Sequence, residues 1–557
     1  MSKVRIFALG GLDEDGKNMY VVENNDDIFV LECGLKYPDW EQYGVQMIIP
    51  DFTYLKENKD RIRGVFITHG HDDVMAALPS LLKEIPDVPV YTAPLTAAMF
   101  ERKAKKAGIK HVNIHRIRRN ARFKIGDTKI RTFGTTQSIA DGFGVAIETA
   151  DGYVVYSSEF IVDYDTKNEA FDFDLTNITD LASEGVLLLM AESVGCTRAG
   201  HSSPYHRITP QIEHFFEDSN SRMFITLFNQ NIYRVIEVIE LANKYNRRVF
   251  IYDEELRQLM KDMASLGYYR IPAGLEVPPD DFSNDMENVL VIIAGNGANI
   301  FKKVHKIANK EDENVEFRNT DTVIIASPAV PGTEREEAGM EDDLYREAGR
   351  VAAVDAKRAF TMHASREDLK MMMYLMKPKY YMPVKGEYRQ LIANANIALD
   401  MGFRADYIIV MDNGQVAQID DGKLQRNFNR IDHAEDVLVD GDENLDASGM
   451  VLKDRETLST DGAIIVGVVV NHKTKEIIGG PDVQSRGVIY LKDADYIIQE
   501  IGNIMEKTIN EAVKNNTYDN LECRADARDR IARYVIRETG KRPMILPAIV
   551  EINTKDE

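Results

Sequence analysis

The chain has 557 residues, of which 44% are hydrophobic and 28% charged; this is the composition of a globular protein, and the length is too great for a single compact core. Its formal net charge of -22 argues against a protein that coats nucleic acid non-specifically, but it leaves room for an enzyme with a local basic cleft. The three cysteines lie too far apart for a metal knuckle and are too few for a disulfide framework, so we expect buried thiols at Cys33, Cys196 and Cys523.

The N-terminus runs directly into an apparent strand, and no segment approaches the roughly 18 uninterrupted apolar residues of a membrane span. We therefore expect a cytoplasmic protein without a membrane span. The first 200 residues alternate short apolar runs with loops, which predicts an α/β region whose strands are DIFVLECG, GVFITHG, VPVYTAP, YVVYSSEF and EGVLLLMAES. Amphipathic stretches from Val74 to Glu84 and from Leu95 to Ala107 predict helices between these strands.

Later in the chain the pattern becomes more regular. The runs RMFITLF, RRVFIYD, NVLVIIAG and DTVIIAS, with a helix from Ile232 to Tyr245, predict a parallel sheet with crossover helices. A Met-rich helix and a strand from Tyr380 to Val384 follow. The stretch from Asp432 to Asp461 is acidic and rich in turn residues, which indicates a linker. The last hundred residues, with a long helix from Ala494 to Asn515, predict a small α+β domain.

One short stretch has the spacing of a metal site. In THGHDDV, which follows the predicted strand GVFI, His69 and His71 alternate along an extended strand end, so both rings can point to one side. Gly70 lets the backbone pass close to an ion, and Asp73 follows on the same side. A His-x-His-x-Asp run after an apolar strand favours a divalent metal site over polar residues in a surface turn.

These residues resemble the metallo-β-lactamase signature. With GGLDEDGKNMYVVE, LECGLKYP, DTVIIASPAVPGTE and KPKYYMPVKGEYR, the chain resembles the β-CASP nucleases, and within them ribonuclease J of bacteria and its degenerate second paralogue. The resemblance implies a metallo-β-lactamase αββα sandwich, with its first part at 1–205 and its returning part at 363–432. An inserted β-CASP α/β domain at 206–362 interrupts it. We expect an acidic linker at 433–461 and a C-terminal α+β dimerisation domain at 462–557.

The resemblance also implies that one of two metal sites is damaged. Asp73 is retained as a metal ligand and catalytic residue, but Val74 stands where the signature has its last histidine and cannot coordinate. Lys385, in PVKGE, replaces another histidine of the second site. We expect a weak or absent second metal, with Lys385 pairing with Asp73 or Glu159 in its place.

The remaining ligands can still hold one ion. His69 and His71 are retained, Glu159 of SSEF takes the place of a bridging aspartate, and Gln137 of TTQSIAD takes the place of a histidine. Replacing imidazoles by oxygen ligands shifts the preference from zinc toward manganese or magnesium. We therefore predict one divalent metal, with Mn²⁺ or Mg²⁺ favoured over Zn²⁺.

The resemblance assigns further residues to the same metal centre. His363 in FTMHAS, backed by Glu192, is the candidate for proton transfer to the leaving oxygen, with a purely structural histidine as the alternative. Thr361 and Ser365 flank it and are predicted to bind an RNA phosphate. Glu32 replaces the acidic residue of the N-terminal motif and is predicted to support the metal ligands without touching the ion.

Two histidine-containing stretches have less specific signals. His111 and His115 lie in the basic run from Arg102 to Lys124, which fits either a solvated surface or a contact with the RNA backbone. His201 and His206, in GHSSPYH, are either structural or adventitious metal ligands.

Two functions remain open at this point, and a third is disfavoured. The first is weak metal-dependent hydrolysis of single-stranded RNA, as a 5′-3′ exonuclease or an endonuclease, together with an active ribonuclease J paralogue in mRNA turnover and rRNA maturation. The second is a catalytically inactive RNA-binding scaffold subunit of that hetero-oligomer. The inserted β-CASP domain argues against a small-molecule hydrolase. In either favoured case the resemblance implies homodimerisation through the C-terminal domain.

Overall fold

The computed structural model describes residues 2–553, except 39–43, 167, 219–220, 330–331, 356, 359–360, 426–428, 442, 446–449 and 489–494. The chain divides into two compact units. The first consists of Met1–Tyr37 and Met47–Val437, and the second of Pro38–Gln46 and Leu438–Glu557.

The first segment of the first unit alternates strands with short helices. Its elements are β1 (Lys3–Gly10), β2 (Met19–Asn24), β3 (Asp27–Leu31), β4 (Met47–Pro50), α1 (Thr53–Glu57), β5 (Ile62–Ile67), α2 (Asp72–Met75), α3 (Leu78–Glu84), β6 (Val90–Thr92), α4 (Pro94–Lys106), β7 (Ile114–Arg116), β8 (Arg122–Ile125), β9 (Thr128–Gly134), β10 (Phe143–Thr149), β11 (Gly152–Tyr156), α5 (Leu175–Ser183) and β12 (Val186–Glu192).

An inserted α/β layer follows, with a parallel sheet in the order β14-β15-β13-β16-β17. Its elements are α6 (Thr209–Asp218), β13 (Met223–Phe228), α7 (Ile232–Lys244), β14 (Arg248–Ile251), α8 (Glu254–Ser265), β15 (Val289–Gly295), α9 (Ala298–Ala308), β16 (Thr322–Ile325), α10 (Glu334–Glu347) and β17 (Arg350–Ala353). Strands β13 to β16 are mostly buried apolar runs, as helices covering a parallel sheet require, whereas the edge strand β17 has no buried residue. The predicted parallel sheet is confirmed.

After the insertion, the chain completes the two sheets that its first segment began. This segment contributes α11 (Arg366–Met376), β18 (Tyr380–Val384), α12 (Tyr388–Asp400), β19 (Gln415–Asp420), β20 (Lys423–Leu424) and β21 (Asn429–Arg430). One sheet has the order β20-β19-β1-β2-β3-β5-β6-β7, with β21 beside β19, and the other the order β18-β12-β11-β10-β9-β8. Ile6 and Phe29 of the first sheet share a core with Met190 and Met382 of the second.

Helices α5, α11 and α12 cover the outer face of the second sheet, where Ile178, Met372 and Ile397 share one buried cluster with Leu189. This arrangement is the predicted αββα sandwich, interrupted by the inserted layer. Cys33, Cys196 and Cys523 are buried free thiols, as expected. No helix of the described residues combines the length and the apolar character needed to cross a membrane.

The C-terminal elements form a small α+β fold in the second unit, with helices packed on a three-stranded sheet. They are β22 (Asp436–Asp440), β23 (Glu443–Leu445), α13 (Met450–Thr460), β24 (Ala463–Asn471), β25 (Ile477–Arg486), α14 (Asp495–Lys514), α15 (Asn520–Thr539) and β26 (Met544–Ile552). The sheet order is β25-β24-β26, and α14 and α15 pack on one face of it. The other face exposes Ile465, Leu546 and Val550, which are 46%, 45% and 53% accessible.

Two stretches differ from the sequence-based expectation. The stretch 433–461, expected to be a linker, contains β22, β23 and α13, because Met450–Thr460 is rich in residues that favour a helix. The helix expected from Val74 to Glu84 is two helices, α2 and α3. Proline is tolerated only in the first turn of a helix, and Pro79 lies in the first turn of α3, so a new helix begins there.

Candidate metal centre

The polar residues of the centre come from loops that follow parallel strands. Strand β3 pairs in parallel with β5, and β12 pairs in parallel with both β11 and β18. Parallel strands end at the same edge of their sheet. Glu32 and His69 therefore follow one pair of strands, while Glu159, Glu192 and Lys385 lie at the ends of the other three.

Two histidines and one carboxylate form the most compact group. His69 Nε2 lies 3.1 Å from His71 Nδ1 and 3.3 Å from Glu159 Oε1. His71 Nδ1 lies 3.3 Å from Glu159 Oε2. One ligand atom from each of the three residues lies within 4.8 Å of the other two, so the group can surround one ion. Each is a ligand type that divalent transition metals accept.

The outer nitrogens of both rings are already engaged. Thr68 Oγ1 lies 2.9 Å from His69 Nδ1, and the same hydroxyl donates to Glu32, which also accepts the Thr68 N–H at 3.0 Å. Ser138 Oγ lies 2.8 Å from His71 Nε2. Such contacts fix the orientation of a ligating imidazole and leave its other nitrogen for the metal. Glu32 is thus connected to His69 through Thr68, and its supporting role stays a prediction.

Burial shifts the pKa values of two groups at this centre, the candidate ligand His69 and the carboxyl group of Glu32. Burial lowers the pKa of His69, with added repulsion from His71 and Lys385, so the ring is neutral as a metal ligand must be. Burial also raises the pKa of Glu32 to about 8, although the hydrogen bonds from Thr68 oppose this shift. Glu32 is therefore mainly protonated at neutral pH.

Gln137 satisfies one requirement of a further ligand. Its side chain is fully buried, and neither atom of its amide has a hydrogen-bond partner among the described residues. The amide end lies against Gly142, because a Cβ added there would come 1.8 Å from Nε2. A buried amide without a partner is rare and is relieved by a bound water or ion. The three donors His69, His71 and Glu159 fit one divalent cation, and Gln137 stays a predicted fourth ligand.

Lys385 lies where two carboxylates meet. Its ammonium donates to Asp73 Oδ2 at 2.5 Å and to Glu159 Oε1, and only 2% of its side chain is exposed. Asn18 Nδ2 donates to the same Asp73 oxygen at 3.0 Å. Val74 is 1% exposed and offers no ligand atom.

The charges of this ion pair reinforce one another. Burial alone would lower the pKa of Lys385, but Asp73 and Glu159 raise it well above its usual value. Burial would raise the pKa of Glu159, but the charge of Lys385 holds it well below its ordinary range. Both groups are therefore ionised across the physiological pH range.

The backbone at Lys385 is held in an uncommon conformation. Its φ is +52°, and Gly386 follows at +145°. The left-handed region costs a residue other than glycine about 1 kcal/mol or more, so surrounding contacts must impose it. Lys385 N–H donates to the Gly11 carbonyl at 3.0 Å, and Ser193 N–H donates to the Lys385 carbonyl at 3.0 Å.

His363 approaches the same centre from the returning segment. Its Nδ1 lies 2.7 Å from Glu192 Oε2 and 4.0 Å from Glu159 Oε2. Glu192 Oε1 accepts the N–H groups of Phe160 and Ala364 at 3.0 and 2.9 Å. Burial would lower the pKa of His363, but Glu192 and Glu159 raise it, which favours the imidazolium. The remaining nitrogen, Nε2, is the one that could donate a proton.

The two residues predicted to bind phosphate differ in their surroundings. Thr361 is exposed. Ser365 is buried at the start of α11, where its N–H donates to Asp368 Oδ2 at 3.0 Å and its hydroxyl lies 2.7 Å from Ser202 Oγ. The Ser365 hydroxyl is thus engaged in the capping region of the helix, whereas Thr361 is accessible to a substrate.

Each histidine of the second pair lies near a carboxylate, although neither ring nitrogen of His206 makes a hydrogen bond among the described residues. His201 Nδ1 lies 2.8 Å from Asp368 Oδ1, and His206 Nε2 lies 3.4 Å from Asp163 Oδ2. Neither residue joins a metal-ligating group in the part of the chain that the structure describes. Their surroundings favour the structural alternative.

Three supporting residues were not singled out from the sequence. Thr68, Ser138 and Asn18 hold His69, His71 and Asp73, respectively. Each lies inside or beside a recognised motif, namely THGHDD, TTQSIAD or GGLDEDGKNMYVVE. Proximity to these motifs was the available signal, but the atom that each one contacts depends on the folded loops.

Comparisons with known proteins agree with this architecture. Family models match along the chain: "Metallo-beta-lactamase superfamily" over residues 12–165, "Ribonuclease J, beta-CASP domain" over 220–344, "Zn-dependent metallo-hydrolase RNA specificity domain" over 350–407 and "Ribonuclease J C-terminal domain" over 450–552. A crystal structure from Enterococcus faecalis, titled as a protein of unknown function, covers 75% of this chain and 100% of its own, with a TM-score of 0.52 at 14% identity. That likeness concerns the fold alone.

Curated relatives match over nearly the whole length. "Ribonuclease J 2" of Staphylococcus epidermidis is 31% identical over 551 residues, which cover 99% of this chain and 98% of that protein. "Ribonuclease J 2" of Streptococcus pyogenes is 32% identical over 558 residues, which cover 99% and 100%. The similarity spans both layers of the sandwich, the insertion and the C-terminal unit, and the chain therefore belongs to the ribonuclease J family.

Proposed function

We propose that the protein is an RNA-processing and decay protein with attenuated, metal-dependent phosphodiester hydrolysis of single-stranded RNA, as a 5′-3′ exonuclease, an endonuclease or both. The observation that carries the proposal is the buried Lys385 ammonium between Asp73 and Glu159, beside an intact His69 and His71 pair. Three donors remain for one cation, and a lysine supplies a positive charge beside them.

The first site would hold one divalent ion through His69, His71, Glu159 and Gln137. Mixed nitrogen and oxygen donors favour Mn²⁺ or Mg²⁺ over Zn²⁺. When bound, such an ion lowers the pKa of a water and offsets phosphate charge.

The chain's own residues supply the other functions. Glu192 orients His363 so that Nε2 faces away from the carboxylate, and the protonated ring can donate to the leaving oxygen. The Lys385 ammonium offsets the negative charge of Asp73 and Glu159, which would otherwise repel a phosphodiester. Thr361 is accessible for a hydrogen bond to a phosphate oxygen.

The position of Lys385 beside the metal ligands also accounts for the slow RNA hydrolysis that we propose. A lysine carries one charge and cannot activate water, whereas a second divalent ion contributes several kcal/mol to charge stabilisation. A loss of several kcal/mol corresponds to a rate lower by about two to four orders of magnitude. We therefore propose slow hydrolysis that depends on the first ion.

An RNase assay tests this proposal. Single-stranded RNA with a 5′-monophosphate or a 5′-triphosphate is incubated in Mn²⁺ with the wild type and with His69→Ala/His71→Ala. We expect cleavage by the wild type and its loss in the double variant, because both ligating imidazoles are gone. The variant His305→Ala/His472→Ala, which removes two exposed imidazoles outside the cluster, is the matched control and should retain the wild-type rate.

Equal cleavage by the wild type and by His69→Ala/His71→Ala would favour the second candidate function, a catalytically inactive RNA-binding scaffold. The observation that supports the scaffold is that Lys385 pairs with both Asp73 and Glu159, so these carboxylates have a cationic partner within the chain. The scaffold is expected to bind RNA both as the wild type and as His69→Ala/His71→Ala, and to cleave RNA in neither form.

We also propose that the protein is cytoplasmic and acts in mRNA turnover and rRNA maturation, in a hetero-oligomer with an active ribonuclease J paralogue. Homodimerisation through the C-terminal unit is part of this proposal. The apolar outer face of the β25-β24-β26 sheet supports it, since Ile465, Leu546 and Val550 are large hydrophobic residues that a partner would cover.

A further inference from the structure

A basic segment departs sharply from the acidic character of the chain. The chain has 68 Lys and Arg residues against 90 Asp and Glu residues, yet the run 102–124 contains ten Lys and Arg residues and no acid. It comprises the last turns of α4, the whole of β7 and most of β8. A local concentration of positive charge in an acidic protein is the electrostatic footprint of a polyanion site.

Part of this charge is compensated within the protein and part is not. Arg102 pairs with Asp262, and Arg122 pairs with Asp180. Other cations of the run are exposed and have no ion pair among the described residues; they are Lys105, Lys106, Lys110, Arg118 and Lys124. We call these five residues the basic strip.

An aromatic ladder ends beside the basic strip. Phe66 on β5, Tyr91 on β6 and His115 on β7 are register partners on neighbouring parallel strands. The Phe66 and Tyr91 rings stack at 5.1 Å between centroids, and the Tyr91 and His115 rings stack at 4.7 Å with 15° between their planes. Since β7 is the last strand of its sheet, the exposed His115 ring forms the open end of the stack.

The ladder and the metal centre share one edge of the sheet. Ile67, Thr92 and Arg116 are in register across β5, β6 and β7. His69 follows Ile67 by two residues, as Arg118 follows Arg116. Two strand spacings of about 4.8 Å separate β5 from β7, so Ile67 and Arg116 lie about 10 Å apart along that edge.

We propose that the basic strip and the exposed face of His115 form a second binding site for single-stranded RNA, in which a base stacks on the imidazole and the cations bind flanking phosphates. The site would hold the part of an RNA that extends beyond the metal centre. The identity of the polymer rests on the proposed function.

The ring distinguishes this ligand from other polyanions. Bases of a duplex are stacked on one another and cannot reach a side chain, whereas an unpaired base can extend an aromatic stack. An acidic protein surface would use the cations and leave the His115 face unused. A single-stranded nucleic acid uses both features, and the proposed function identifies it as RNA.

The test measures binding of fluorescently labelled RNA by anisotropy in EDTA, so that no RNA is cleaved. Two single strands are compared, one of about five nucleotides and one of about twenty, because a site of this type spans about 4–16 nucleotides. The variant Lys105→Ala/Lys106→Ala/Lys110→Ala should bind the long RNA about tenfold more weakly and the short RNA unchanged. Its slope of log affinity against log salt should be shallower by about 2, since each lost phosphate contact contributes about 0.7.

The second variant, His115→Ala, separates stacking from charge. It should also weaken binding of the long RNA about tenfold, but with an unchanged salt slope, because a stacked base releases no counterion. The matched control is Lys261→Ala/Lys302→Ala/Lys306→Ala, three exposed lysines of the inserted layer whose removal changes the net charge equally. This control should bind both RNAs as the wild type does.

The outcomes separate this site from the proposed function. If the basic-strip variant binds the long RNA as tightly as the wild type, the second site is contradicted, while cleavage of RNA in Mn²⁺ still supports the ribonuclease. If binding depends on the strip but the wild type cleaves nothing, the ribonuclease is contradicted and the second site stands. An unchanged affinity in His115→Ala would overturn the stacking contact.

Discussion

At the scale of single residues, Lys385 is the side chain on which the proposal of a single metal ion most depends. A buried charge is costly unless it is paired, and here one ammonium meets two carboxylates, with Asn18 supporting one of them. The pairing was expected from the replacement of a histidine by lysine, because an ammonium near carboxylates repels a second cation. The structure adds that Asp73 and Glu159 are engaged at the same time.

Restoring the lost imidazoles should restore the second ion. In Val74→His/Lys385→His, two nitrogen ligands replace a methyl-bearing side chain and a competing cation, so bound metal should rise from about one to about two ions per chain. Elemental analysis after dialysis against Mn²⁺ measures this occupancy, and the RNase assay should show faster hydrolysis.

The single variant Val74→His is the control, because Lys385 still engages both carboxylates and occupancy should stay near one ion. An unchanged metal content in the double variant would mean that Lys385 does not stand in for a cation.

The site residues were predictable to different degrees. His69, His71 and Asp73 were recognised from their motif spacing, but Asp73 lies in α2, so the alternation of a strand end does not explain its position. Glu159, Lys385 and His363 lie far away in sequence and required the family resemblance. The contact between Ser138 and His71 could not be predicted, because it depends on which ring nitrogen faces the loop.

At the scale of elements, buried parallel strands were the easiest features to predict. The run VLLLMAE of β12 is fully buried and apolar up to its last residue, Glu192, which is the pattern of a strand covered on both faces. Helix α15 was missed because its buried positions, Cys523, Ala527, Ile531 and Val535, include small residues among many charges. A weak apolar stripe of this kind does not stand out from sequence.

Glu551 connects several elements of the C-terminal unit. It accepts hydrogen bonds from Lys475 at 2.7 Å, Tyr518 at 2.9 Å and Asn520 at 3.3 Å, and lies 2.8 Å from His472 Nδ1. The hydrogen bond from Lys475, with those from Tyr518 and His472, lowers the pKa of Glu551 to about 2, against the raising effect of burial. This carboxylate stabilises the end of β26 while it is ionised.

The variant Glu551→Gln should therefore loosen β26 at neutral pH. A depressed folded-state pKa contributes stability above the unfolded value of about 4.5, and the contribution is lost as pH falls toward about 2. Solvent screening of this partly exposed group reduces the effect to about 1 kcal/mol, or about fivefold faster amide exchange in the β26 peptide at pH 7.

Exchange of the same peptide in wild type and variant should converge as pH approaches 2. Glu506→Gln, a substitution on α14 outside this hydrogen-bond network, serves as the control and should exchange as the wild type does. A difference between Glu551→Gln and wild type that stayed constant with pH would contradict the electrostatic explanation.

At the scale of the whole molecule, the exposed face of the C-terminal sheet bears on assembly. If this face forms the proposed dimer, Leu546→Asp should shift the mass in light scattering toward the 63.1 kDa monomer, because a carboxylate would be buried at the interface. Leu521→Asp makes the same change at an exposed position of α15 and should remain dimeric. Dissociation by Leu521→Asp alone would assign the interface to the helical face.

Lys385 has one consequence that distinguishes it from any ion. A chelator removes a metal from its ligands, but it cannot extract a side chain, and the left-handed backbone at Lys385 is anchored by its bonds to Gly11 and Ser193. After treatment with a chelator, half of the centre would therefore keep its positive charge and its geometry. The protein would remain folded around a permanent cation where a two-metal enzyme would be left with a cluster of repelling acids.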